Sequence, residues 1–187
     1  MTKPIPKIAT AFLFALFISA AAQSPQAAPA PSPPASPAAA ARPGDVDSID
    51  HILAAIYDVI SGPPGPRDWD RFRSLFVPGA RLIPTHRDDK GVVSARALTP
   101  DEYATRGQAF FSKEGFFENQ LAAHMENWDS IAHVWSTYES RHAKGEKPFA
   151  RGINSFQLMN DGTRWWIVSI YWEQEDAKHP LPEKYLK

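Results

Sequence analysis

The chain has 187 residues and no cysteine, which excludes disulfides, cysteine nucleophiles and a lipid-modified cysteine behind a leader. Its formal net charge is −1, from 20 basic and 21 acidic residues, and no basic run interrupts it. That balance argues against nucleic acid and anionic membrane surfaces as partners.

Residues 1–22 have the layout of a secretory signal peptide. Lys3 and Lys7 precede an apolar run from Ile8 to Ile18, and Ala20 and Ala22 follow at the spacing a signal peptidase reads. The run is about half the roughly 20 residues that span a bilayer, so a cleaved leader fits better than an uncleaved anchor. Export to the periplasm or the medium is expected, with no stable membrane insertion after cleavage. Residues 23–44 are almost wholly Ala, Pro and Ser. Such a stretch has too little apolar bulk to offset its ordering entropy and reads as a disordered, extended linker. Residues 45–187 are expected to form a single domain, rich enough in Trp, Phe, Ile and Leu to bury a core.

Within that domain, Ile49, Ile52, Leu53, Ile56, Tyr57 and Ile60 fall on one helical stripe, with Asp45 or Asp47 as cap and "SGPPGP" as terminator. "RDWDRFRSLF" reads as a short second helix with Trp69, Phe72, Leu75 and Phe76 on one side. "VPGARLIPTH" and "GVVSARAL" read as strands around the polar turn "RDDKG". In "TPDEYATRGQAFFS", Thr99, Pro100 and Glu102 form a capping box, and Tyr103, Phe110 and Phe111 make the buried face. Gly107 inside that helix costs about 1 kcal/mol against Ala, which points to close packing there or to a glycine the helix merely tolerates. Four strands follow: "FFENQLAAHMEN", "SIAHVWSTYES", "ARGINSFQLMN" and "RWWIVSIYWEQ", the last two joined by the hairpin signal "NDGT". The fold class is α+β, a curved antiparallel or mixed sheet wrapped around three N-terminal helices.

This order, with "FRSLFVPGARL" leading into the first strand and "NDGTRWWIVSIYW" closing the last, resembles the nuclear transport factor 2-like superfamily, including its SnoaL-like and ketosteroid-isomerase-like members. The resemblance covers roughly Asp45 to Trp172 and implies a cone with an internal pocket. The superfamily contains isomerases, dehydratases, hydrolases, ligand binders and partner-binding modules, so it does not fix a reaction. No residue here matches the acid-base dyads of its enzyme members by position.

Strand parity decides which side chains reach the pocket. Taking Trp128 and Asp129 as a two-residue loop pairs His124 with His133, Gln120 with Thr137 and Glu118 with Glu139 on one polar face. The opposite face carries Ala132 and Val134 with Leu121, Ala123 and Met125, and reads as the core side. With Asp161 and Gly162 as the last loop, Asn154 pairs with Ser169, with Tyr171 beyond. The expected ligand-binding groups are therefore Tyr57, Tyr103, Asn119, Ser136, Tyr138, Asn154, Ser169 and Tyr171, good for orienting a ligand in an apolar cavity. If the parity is reversed, Glu118, His133, Glu139 and Arg141 enter instead, and acid-base catalysis becomes available. No metal or other cofactor is expected: the six histidines are scattered, and there is no P-loop or dinucleotide glycine pattern. Apolar residues on both faces of the last hairpin suggest a homodimer through the outer sheet face.

Three functional readings stay open. One is a module that binds a small apolar or amphipathic molecule in the cone. The second is a cofactor-free isomerase, hydratase or lyase. The third is partner recognition by the outer sheet face. The first two divide on whether an ionisable group lines the cavity.

Overall fold

The computed structural model describes residues 40–187. The expected signal peptide, and the linker before residue 40, lie outside the described residues. Helices α1 (Pro43–Val46), α2 (Ile49–Ile60), α3 (Trp69–Ser74) and α4 (Pro100–Phe111) accompany six strands. These are β1 (Phe76–Arg87), β2 (Val93–Ala95), β3 (Phe117–Trp128), β4 (Ile131–Arg141), β5 (Ala150–Asn160) and β6 (Trp165–Gln174), in the sheet order β2-β1-β6-β5-β4-β3. Only β1 and β6 run parallel. Three helices match the sequence reading, and α1 adds one turn beginning two residues before the expected domain start. The second expected strand shrinks to three exposed residues, continued by a single bridge between Leu82 and Leu98.

The caps follow local chemistry. Thr99 and Glu102 form the reciprocal box on α4, at 3.1 and 2.8 Å. On α2 the cap is Ser48, whose hydroxyl accepts from His51 N at 3.1 Å, and not the expected Asp45 or Asp47. Asp45 is engaged elsewhere, accepting from Arg71 Nε and Nη2 at 2.7 and 2.9 Å. The apolar stripe of α2 packs on Phe72, Leu75, Phe111 and the concave face of the sheet in one core. Ile52 and Phe72 are fully buried, each worth about 1.5–3 kcal/mol against exposure. Phe110, expected inside, is 41% exposed, because α4 turns Ala104, Phe111 and part of Tyr103 inward instead. Gly107 is a close-packing glycine: an added Cβ would lie 3.0 Å from the Phe111 ring and 3.2 Å from that of Trp69.

On β4 the inner face is Ala132, Val134, Ser136, Tyr138 and Ser140, all buried, in agreement with the parity read from the sequence. The partner strands depart from that reading. The β3–β4 turn is centred on Asp129 and Ser130, with Asp129 at φ +50°, so Trp128 pairs with Ile131. Farther along, Leu121 bulges out of register: Ala122 pairs with Thr137, yet Gln120 pairs with Tyr138. A single extra residue reverses the in–out alternation of a strand. Ala123 and Met125 therefore share the inner face near the turn, whereas Gln120 and Glu118 share it beyond the bulge. Val168 does the same in β6, where Leu158 pairs with Ile167 but Gln157 pairs with Ser169.

Candidate functional site

The two bulges determine what the cone contains. Because of Leu121, Glu118 lies opposite Ser140 on the inner face, not opposite Glu139 on the outer one. Because of Val168, Ile170 and Trp172 face Phe156 and Asn154, and Ser169 and Tyr171 are turned outward. The enclosed space has a volume of about 110 Å³. It is lined by Tyr57, Tyr103, Phe116, Glu118, Tyr138, Asn154, Trp172 and aliphatic and aromatic core side chains.

The backbone of Glu118 is clamped to the end of α2. Its amide donates to Ser61 Oγ at 3.0 Å, while Ser61 donates to Tyr57 O at 2.7 Å. Gly62 and Phe116 exchange two backbone hydrogen bonds beside it, at 2.7 and 3.0 Å. The carboxyl accepts from Ser140 Oγ at 2.8 Å and from Asn154 Nδ2 at 3.4 Å. Burial pushes its pKa up to about 7, against the smaller opposing effect of those two donors. Among the described residues no guanidinium or ammonium is paired with it.

The hydroxyls around it form a directed chain. Ser136 gives its one proton to Gln120 Oε1 at 2.7 Å, so at 2.6 Å it accepts from Tyr57. Tyr57 in turn accepts from Asn154 Nδ2 at 3.0 Å. Asn154 thus spans the Tyr57 oxygen and the Glu118 carboxylate. Tyr103 and Tyr138 differ: both line the cavity, and neither hydroxyl has a hydrogen-bond partner among the described residues. Burial first, and the Glu118 charge second, hold both phenols protonated far above their ordinary range. Gly152 makes room for Tyr138, since a Cβ there would lie 2.7 Å from the hydroxyl.

Of the groups expected in the pocket, Tyr57, Tyr103, Tyr138 and Asn154 line the cavity, and Ser136 stands just behind Tyr57. Three do not. Asn119, one residue past Glu118, is outside, donating to Glu139 Oε1 at 3.3 Å and accepting from Arg141 at 3.2 Å. Ser169 and Tyr171 are outside because of Val168. Of the reversed-parity set only Glu118 is inside, through the bulge and not through reversal of β4. Glu139 pairs with Arg141 on the outer face, and His133 meets Ser155 there at 3.0 Å. Phe116 and Trp172 line the cavity without having been singled out in the sequence. Among the described residues no three His, Asp or Glu side chains are grouped to hold a metal ion.

An open cleft of about 730 Å³ adjoins the cavity, bordered by Ser61, Gly62, Phe117, Arg141 and Lys144. Tyr57 and Glu118 line both spaces. They stand at the boundary between solvent and the interior, so a ligand entering from the cleft meets the carboxyl first.

No family model matches the chain, and no curated protein matches it. Solved structures do. A protein of unknown function with a cystatin-like fold from Nostoc punctiforme is 11% identical, with a TM-score of 0.53 over 69% of this chain and 90% of that one. A protein from Kribbella flavida is 12% identical, with a TM-score of 0.51 over 70% of this chain and 92% of that one. At these identities the likeness concerns the fold, and it supports the nuclear transport factor 2-like cone: an α+β domain with a curved mixed sheet.

Proposed function

We propose that the cone is a small-molecule site in which Glu118 moves a proton, making the chain a cofactor-free acid-base enzyme of the isomerase, hydratase or lyase type. One observation carries this: the single carboxyl lining the cavity is lifted to about 7 by burial and lies among phenols, two of them without a protein partner. A base is most useful when its pKa is close to the working pH. As a carboxylate, Glu118 takes a proton from carbon next to a carbonyl. The negative charge that develops on the carbonyl oxygen receives the free Tyr138 or Tyr103 hydroxyl, neutral donors already desolvated. Returning the proton from Glu118 to a different carbon completes an isomerisation with every proton accounted for.

Size restricts the substrate. An apolar cavity of ~150 Å³ accepts benzene, so about 110 Å³, continued by the adjoining cleft, takes a reacting part no larger than benzene. A steroid does not fit there. Cyclopentanone has the right size, and its exchange of α-hydrogens for deuterium in D₂O, followed by NMR, tests the proposal. The chain should accelerate exchange, and Glu118→Gln should remove about 100-fold of that acceleration. Equal rates for the two would end the enzyme reading. Saturable cyclopentanone binding without exchange would leave the cone as a ligand-binding pocket only.

We also propose that the chain is exported, on its signal-like first 22 residues, and that it pairs through the outer sheet face. Trp128 and Ile131, 78% and 57% exposed at the turn end of that face, support pairing. The middle of the face is covered by the chain's own C-terminal segment, which narrows the pairing surface to that end. A sedimentation experiment giving only monomer at micromolar concentration would refute pairing.

A further inference from the structure

The two phenols without a protein partner reach the cone cavity from different elements. Tyr138 rises from β4 and lies across β5, where a Cβ on Gly152 would come within 2.7 Å of its hydroxyl. Tyr103 descends from α4, its ring stacked on Phe72 at 5.3 Å and edge-on to Trp172 of β6 at 6.3 Å. Trp172 pairs with Asn154, two residues along β5 from Gly152, so both phenols lie over the same stretch of the sheet. Tyr138 is only 5% exposed, yet neither hydroxyl is sealed off: among the described residues Arg87 Nε is the one side-chain nitrogen or oxygen both sealed and unpartnered. Buried donors are almost always satisfied in native proteins, so each hydroxyl has a place for an acceptor that arrives with a ligand.

The rest of the lining narrows what that ligand is. Among the described residues no Lys or Arg lines the cavity, and the one charge there, on Glu118, repels an anion. A carboxylate or phosphate is thereby disfavoured, and the acceptors belong to a neutral molecule. Glu118 supplies a second constraint. A carboxylate is a weak base against the C–H of a simple ketone, and proton transfer is faster the smaller the mismatch between base and acid. A C–H flanked by two carbonyls is far more acidic, because the charge left behind spreads over two oxygens. Two free phenols provide one donor for each. The core of such a molecule, three carbons and two oxygens, is smaller than benzene and suits a space of about 110 Å³, with its substituents continuing into the cleft beside Glu118.

We propose that the cone takes a neutral 1,3-dicarbonyl compound, with one carbonyl oxygen on Tyr103, the other on Tyr138, and the carbon between them against Glu118. This rests on Glu118 acting as the base. The carboxylate takes the proton from that carbon as the C–H bond breaks, and the electron pair spreads onto the two oxygens. The proton then returns to one of them, leaving the enol and restoring the carboxylate. Acetylacetone is the probe, and pentan-2-one, the same carbon skeleton with one oxygen fewer, is the control. Calorimetric titration of the full chain should show acetylacetone binding at least about tenfold tighter, although it is the less apolar of the two. Tyr103→Phe and Tyr138→Phe should each weaken acetylacetone about fivefold, and only one of them should weaken pentan-2-one. Both variants keep the ring and lose no hydrogen bond within the protein, so the fold is retained. Equal affinity for the two ketones would overturn the proposal, as would a phenylalanine variant that binds acetylacetone like the unaltered chain. So would both variants weakening both ketones alike, which would put the two phenols on a single oxygen. Deuterium exchange separates this proposal from the acid-base reading. Acetylacetone bound through both phenols, but exchanging no faster than in buffer, would uphold the two-oxygen site and end only the role of Glu118. Accelerated cyclopentanone exchange without any preference for acetylacetone would do the reverse.

Discussion

The two faces of this sheet each hold a glutamate in the same stretch of the β3–β4 pair, and their surroundings differ. Glu139, on the outer face, has Arg141 against it and Asn119 donating at 3.3 Å. Glu118, on the inner face, has only neutral donors, Ser140 and Asn154. The outer carboxylate is neutralised by a guanidinium and carries no unused potential. The inner one bears the desolvation cost of its charge and is raised to about 7. Chemistry follows the environment of the side chain, and here the environment is chosen by one extra residue, Leu121.

The strongest way to break the contrast is to insert one alanine between Asn119 and Gln120. Gln120 keeps its place opposite Tyr138, but every earlier residue of β3 moves one pairing position along β4, which puts Asn119 opposite Ser140 and turns Glu118 outward. Loss of deuterium exchange and a stability loss of about 3–4 kcal/mol in urea unfolding are expected, the range of a disrupted buried network. An insertion variant with full exchange activity would show that the register of β3 does not set the site.

A smaller effect comes from pH. Glu118 has a folded pKa of about 7 against an ordinary value of 4.5, so between these values the native state binds more protons than the unfolded chain. Stability is then greatest below about 4.5 and is lost as pH rises through 7, by up to about 3 kcal/mol. Urea unfolding at pH 5 and pH 8 measures it, and Glu118→Gln should flatten that part of the profile. An unchanged slope in the variant would assign the pH dependence to other groups.

Much of this fold was legible in the sequence, and the reasons are local. The α4 capping box, the α2 stripe and the inner parity of β4 each rest on residues close together in the chain. The bulges were not legible, because "NQLAA" and "IVSI" contain no Gly or Pro to mark a break in alternation. Cross-strand matching held a signal all the same. The inner face of β4 passes from Ala132 and Val134 to Ser136, Tyr138 and Ser140, apolar to hydroxyl-bearing. Only by skipping one residue of β3 can Met125 and Ala123 face Val134 and Ser136 while Gln120 and Glu118 face Tyr138 and Ser140. The outward turn of Ser169 and Tyr171 had a similar clue, since unbroken alternation placed Trp172 on the opposite face from the core residue Ile167.

Gly152 sharpens the comparison from the side of the phenols. A Cβ there would lie 2.2 Å from Glu173 O and 2.7 Å from the Tyr138 hydroxyl. Gly152→Ala should cost about 2 kcal/mol by forcing β5 and β6 apart. It should also slow exchange more than it weakens cyclopentanone binding, because the displaced hydroxyl serves the charge that develops during reaction. Equal losses in rate and binding would mean that Tyr138 only shapes the cavity.

The smallest effect belongs to the outer glutamate, and it closes the contrast. Glu139→Gln removes the charge of the ion pair while keeping an oxygen for Asn119 and Arg141. A partly exposed pair of this kind contributes at most about 1 kcal/mol, and that contribution weakens with salt. Unfolding at low and high ionic strength should show that small, salt-sensitive loss, with exchange activity unchanged. A large loss of exchange in Glu139→Gln would mean that the two glutamates are coupled through Asn119 and the strand between them. The inner carboxyl would then owe its state to more than burial.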